Sequence, residues 1–74
     1  MSTTWQTPGS SNVVAITIHD DDCVVVEFQS GTYVYTEVTD EAKFALGAAL
    51  DAGASAGKIV NALLRDEFPY RRIS

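Results

Sequence analysis

The chain is short of almost everything from which an active site or a covalent scaffold is built. Among its 74 residues stand one cysteine (Cys23), one histidine (His19) and one tryptophan (Trp5). A single thiol closes no internal disulfide, which excludes a disulfide-stapled scaffold and fits a reduced, cytoplasmic setting. One imidazole leaves little from which to assemble a nucleophile and base relay. No apolar run approaches the roughly 20 residues needed to cross a bilayer, so no membrane role is expected. The opening Met1-Ser2-Thr3-Thr4-Trp5-Gln6 has neither the basic region nor the apolar core of a secretory signal. Residues 1–42 contain no lysine or arginine against seven acidic residues, a net −7, whereas residues 43–74 hold five basic and three acidic residues, a net +2. An acidic whole disfavours long-range attraction to nucleic acid, yet a local basic face can still contact phosphates.

What is present is the material of one small packed domain. Hydrophobic residues make up 46% of the chain, well away from a disordered composition. Residues 24–35, Val-Val-Val-Glu-Phe-Gln-Ser-Gly-Thr-Tyr-Val-Tyr, read as two strands joined by a Ser30-Gly31 turn. That turn sets Phe28 opposite Tyr33 and Val26 opposite Tyr35. Alternation then places Val24, Val26, Phe28, Tyr33 and Tyr35 on one face. Upstream, Val13–His19 reads as a strand with Val14, Ile16 and Ile18 inward. Asp20-Asp21-Asp22 forms a three-residue turn that sets Ile18 against Val24 and Ile16 against Val26. The opposite face carries Thr17, Val25, Glu27, Thr32 and Val34, polar but apolar enough to take a partner. Residues 1–9 read as a loosely tied tail ending at Pro8-Gly9, from which Trp5 folds back onto an apolar patch.

The second half reads as two helices. Thr39 is a suitable N-cap followed by Asp40 and Glu41 in the first turn. Ala42, Leu46, Ala49 and Leu50 recur at helical spacing, and Gly53 is the natural stop. Ser55 opens a second helix through about Glu67, with Ile59, Val60, Leu63 and Leu64 buried. Tyr70-Arg71-Arg72-Ile73 can add a short edge strand. The expected fold is α+β, a three-stranded antiparallel meander covered on one face by a helical hairpin, with residues 10–74 as a single domain.

Several constellations invite chemical readings. Gly53-Ala54-Ser55-Ala56-Gly57-Lys58 brushes against a phosphate loop, but it is one residue short and follows a helix rather than a strand. Ser55 and Gly57 can still present backbone N–H groups to a phosphate, or serve only as a cap. Lys58, Asn61 and Arg65 share one face of the second helix, and Arg71 and Arg72 join it if the tail folds back. Tyr33 and Tyr35 can stack bases, although their register favours a core role. His19 with Asp20–Asp22 offers metal ligands that splay apart, so no metal is assigned. Cys23 opposite His19 is a poor nucleophile, because the neighbouring aspartates oppose thiolate formation.

The Ser10-Ser11-Asn12 lead, the Phe28-Gln29-Ser30-Gly31 turn and the Tyr33-Val34-Tyr35 triplet come first along the chain. Ser55-Ala56-Gly57, Asn61, Arg65 and the terminal Tyr70-Arg71-Arg72-Ile73 follow them. Across residues 10–73 the chain resembles the KTSC family, small domains named for their place at the C-terminus of some lysyl-tRNA synthetases and also found as stand-alone bacterial and phage proteins. The resemblance implies RNA binding by association with a tRNA-charging enzyme. The expectation is therefore a non-enzymatic binding module without a cofactor. It would engage RNA or another phosphate-bearing ligand through Ser55, Gly57, Lys58, Asn61, Arg65, Arg71 and Arg72. The alternative is a protein adaptor or self-associating accessory protein, phage-encoded, using the Val25/Val34 face or the open edge of the first strand.

Overall fold

A computed structural model of the chain describes residues 2–6, 12–64 and 67–73. The elements run β1 (Thr3–Gln6), β2 (Val13–Ile18), β3 (Val24–Phe28), β4 (Gly31–Tyr35), α1 (Asp40–Asp51), α2 (Ala56–Leu63) and β5 (Tyr70–Arg72). The strands form one antiparallel sheet in the order β1-β2-β3-β4-β5. The fold class is α+β as expected, but the sheet has five strands rather than three. Thr3–Gln6, read from sequence as part of a loose tail, pair with β2. This covers the edge of the first expected strand, so that edge is not open to a partner. The short strand expected at Tyr70–Ile73 forms over Tyr70–Arg72 beside β4.

The β2–β3 register is the expected one, Ile18 opposite Val24 and Ile16 opposite Val26. A bulge between Val13 and Ala15 turns Val13, not Val14, inward. Val13 is 1% exposed and Val14 37%. The extra residue of a bulge exchanges the faces on its far side, so alternation counted straight through this strand picks the wrong valine. In the next hairpin the turn residues are Gln29 and Ser30 rather than Ser30 and Gly31. Phe28 faces Gly31, Val26 faces Tyr33 and Val24 faces Tyr35. The shift is two residues, the period of a strand, so the inward set is unchanged.

The helices cover that inward face. Thr39 Oγ1 accepts the Ala42 N–H at 3.2 Å, capping α1. At the other end Gly53, at φ 83°, donates to Leu50, and Ala54 donates to Ala49. This is the paired closure that a left-handed glycine permits. Helix α2 ends at Leu63, a turn short of the expected Glu67. Leu64 closes it by donating to Val60 and accepting from Glu67 and Phe68. Ile16, Val24, Val26, Leu46, Val60 and Leu64 form the centre of the core, each at most 2% exposed. Trp5 lies against Gly47, 3.5 Å from where a side-chain carbon would begin. It folds back onto the domain as expected and brings α1 over the β1 end of the sheet. Helix α2 lies over the β4 end. No helix among the described residues is long and apolar enough to cross a membrane.

Candidate functional site

Tyrosines alternate down β4, and β5 brings a third beside them. The Tyr35–Tyr70 pairing across β4 and β5 puts Tyr70 on the helix side of the sheet, since paired residues share a face. Phe28 and Tyr33 meet edge to face at 5.4 Å, and Tyr70 lies 5.6 Å from Tyr33 and 5.5 Å from Tyr35. These separations are favourable for aromatic pairs. The cluster grades outward, from Tyr35 at 5% exposed to Tyr70 at 58%. Between it and α2 runs an open cleft of about 680 Å³, with Gly57 and Asn61 on the helical wall and Asn12, Gln29 and Ser30 at the turn end. The chain carries ten acidic residues, yet among the described residues none lines this cleft.

Specific contacts fix the sheet side of the cleft. Arg72 Nη2 donates to the Ser30 carbonyl at 2.7 Å, which ties β5 across to the β3–β4 turn. Gln29 N–H donates to the Asn12 carbonyl at 3.0 Å, fixing the turn to the start of β2. Thr36 donates to Pro69 and Ile73 to Thr32, bracketing β5.

No family model and no curated protein matches this chain. Among solved structures, the KTSC domain protein from Yersinia pestis superposes over 100% of both chains, with a TM-score of 0.76 and 21% sequence identity. This chain has the KTSC fold. The resemblance read from the Tyr33-Val34-Tyr35 triplet and its flanking motifs is therefore matched in three dimensions.

On the KTSC fold the seven site residues expected from sequence do not form one patch. Gly57 and Asn61 line the aromatic cleft, and Lys58, next to Gly57, is exposed. Ser55 is exposed and its side chain makes no capping hydrogen bond. Arg65 lies outside the described residues. Arg71 pairs with Val34 and Arg72 with Tyr33, so the two arginines point to opposite faces of the sheet. Arg71 joins Val25 and Val34 on the helix-free face, away from Lys58. Arg72 stays on the cleft side with its guanidinium on the Ser30 carbonyl. Among the described residues no single basic face unites them: Arg72 lies on the cleft side, Arg71 behind the sheet, and Lys58 is exposed on α2 without lining the cleft. Tyr70 and Asn12 were not among the expected site residues. The signal for Tyr70 was its place at the head of a candidate edge strand.

The acidic turn has a structural role. Lys43 Nζ reaches the carbonyl oxygens of Asp21 at 2.6 Å and of His19 and Asp20 at 3.4 Å. Asp21 Oδ1 accepts the Cys23 N–H at 3.1 Å, a local side-chain turn. Ligand atoms of Asp21, Asp22 and Cys23 lie within 4.8 Å of one another, an arrangement already explained by that turn. Partial burial, and then the Asp21 and Asp22 carboxylates, push the Cys23 thiol above its ordinary range, with Lys43 pulling back. This opposes nucleophilic use of Cys23.

Proposed function

We propose that this chain is a small non-enzymatic module that binds single-stranded RNA, accepting an unstacked base in the cleft between α2 and β4–β5. One observation carries the reading. In a chain of net charge −5, the described lining of the tyrosine cleft is free of carboxylates and combines aromatic rings with amide side chains. Single-stranded RNA is recognised by stacking bases on aromatic rings and bonding their exposed edges. Tyr70, more than half exposed, is the available ring, and Asn61 is the amide placed to bond a base edge. Lys58, exposed next to Gly57 on α2, supplies a phosphate contact, and Gly57 leaves the wall open beside it. Tyr33 and Tyr35 support Tyr70 from beneath. No cofactor is required, and a cytoplasmic setting fits the lone reduced thiol.

The test is fluorescence anisotropy with a labelled single-stranded RNA 12-mer across a salt series. Affinity is expected to fall with salt at a slope of about −0.7 per neutralised phosphate. It should fall about tenfold in Tyr70→Ala, the scale of one lost base stack. Binding that ignores both Tyr70→Ala and Lys58→Ala would remove the cleft from the account.

A second reading, self-association, has one observation in its favour. The helix-free face presents Val25 and Val34 with Glu27 on one side and Arg71 on the other. A twofold arrangement can therefore set opposite charges together around an apolar centre. A concentration-dependent dimer in sedimentation, abolished by Val34→Asp with the fold retained, is what this reading requires.

A further inference from the structure

The meander leaves two sheet edges, and they are defended differently. Edge strands invite pairing with other chains unless charge, proline or a bulge blunts them. At one edge β5 carries Arg71 and Arg72 and is preceded by Pro69. At the other, β1 is Thr3-Thr4-Trp5-Gln6, with no charge and no proline. Beside that edge lies a second groove, at the far side of the molecule from the tyrosine cleft, where Trp5, Ile18, Phe44 and Gly47 meet. Phe44 is 81% exposed on α1, although it belongs to a helix whose buried side is Leu46.

The groove is acidic at both ends. Asp20 and Asp51 line it. Lys43, its one lysine among the described residues, has only 12% of its side chain exposed and lies 3.4 Å from Asp40. Asp51 stands at the Trp5 end, through the indole hydrogen bond at 2.8 Å. Asp20 follows the strand end where Thr3 faces Ile18. An incoming strand would place every second side chain over the groove, roughly 7 Å apart. A second copy of this chain pairing edge to edge would bring these carboxylates toward those of the other copy, a like-charge clash.

We propose that the β1 edge and the Phe44 groove form a docking site for an extended peptide segment of a partner protein. Its groove-facing residues run basic–apolar–basic at alternate positions. The peptide adds a sixth strand through backbone hydrogen bonds to Thr3–Gln6, as in known strand-addition complexes. Its apolar side chain rests between Phe44 and Trp5, and its two basic residues reach Asp51 and Asp20.

Trp5 is the chain's one tryptophan, so its emission reports the site directly. The probe is the blocked heptapeptide Thr-Lys-Thr-Leu-Thr-Lys-Thr, titrated into the intact chain beside the same peptide with both lysines replaced by glutamate. The lysine peptide is expected to give a saturable change in Trp5 emission and slowed amide exchange over Thr3–Gln6. The glutamate peptide is expected to give neither. Phe44→Ala, whose ring is exposed and whose loss should spare the fold, is expected to weaken binding about tenfold, the scale of an aromatic anchor. Equal response to both peptides, an unchanged affinity in Phe44→Ala, or a dimer that Phe44→Ala disperses would each overturn the proposal. RNA titrated into the same samples leaves this site untouched, which separates its outcome from that of the cleft.

Discussion

The indole Nε1 of Trp5 donates a 2.8 Å hydrogen bond to Oδ1 of Asp51, joining residues 46 apart in sequence. Strand β1 is fastened through it to the last residue of α1, and the ring lies flush against Gly47 on the way. A side-chain carbon at Gly47 would stand 3.5 Å from the indole and 3.8 Å from Ile18, ordinary contact distances. Gly47 is thus not required for clearance, while a glycine inside a helix costs about 1 kcal/mol relative to alanine. Gly47→Ala is expected to stabilise the fold by roughly 0.5–1 kcal/mol, read as a higher urea midpoint. Asp51→Ala, which removes an exposed acceptor, should lower stability by about 1 kcal/mol.

The β2 bulge yields a sharper contrast. Val13 is buried and Val14 more than a third exposed, the reverse of what strict alternation assigns. Val13→Ala is expected to cost about 2 kcal/mol through a core cavity. Val14→Thr should stay within roughly 0.5 kcal/mol of the parent. Equal losses at both sites in parallel denaturation curves would mean that the bulge does not persist in solution.

The same strand shows how far the sequence could be read. Periodicity pairs Ile16 with Val26 and Ile18 with Val24 because both residues of each pair must be inward, and it survives a two-residue turn error for the same reason. A bulge inserts one residue without any change in composition, so nothing in Val13-Val14-Ala15 announces it. Strand β1 was illegible for a different reason. Its four residues, two of them threonines and one of these, Thr4, bonded across to Thr17 at 2.9 Å, carry no apolar alternation of their own. They become a strand only because β2 offers an edge and Trp5 finds Gly47. The site was half legible. Gly57 and Asn61 follow from the α2 pattern, whereas the separation of Arg71 from Arg72 depends on which face each takes in β5, and that follows from its pairing with β4.

Cys23 provides a pH-dependent check. Partial burial and the flanking carboxylates raise the thiol pKa in the folded chain, so the folded state holds its proton more tightly than the unfolded state. The resulting stabilisation is complete below the ordinary thiol range and is lost as pH rises through the folded-state value. Native Cys23 should therefore react with iodoacetamide more slowly than the urea-unfolded chain at pH 8. Asp21→Asn should speed the native reaction by removing one repelling charge while leaving an oxygen to accept the Cys23 N–H. A native rate equal to the unfolded one would show that the turn does not shield the sulfur.

The three cations around β5 and α2 should behave as three different things. Arg72 holds the β3–β4 turn through the Ser30 carbonyl, so Arg72→Ala should cost about 1 kcal/mol of stability and weaken the proposed RNA binding only as far as it loosens the cleft. Lys58 is exposed on α2, so Lys58→Ala should leave stability within about 0.5 kcal/mol while lowering the proposed RNA affinity and flattening its salt slope by one phosphate. Arg71 lies behind the sheet beside Val34, so Arg71→Ala should change neither. Denaturation and anisotropy on the three variants side by side resolve these outcomes. If Arg71→Ala weakened RNA binding more than Lys58→Ala, the ligand would sit on the helix-free face, because no side chain paired with Val34 can reach a base held between Tyr70 and α2.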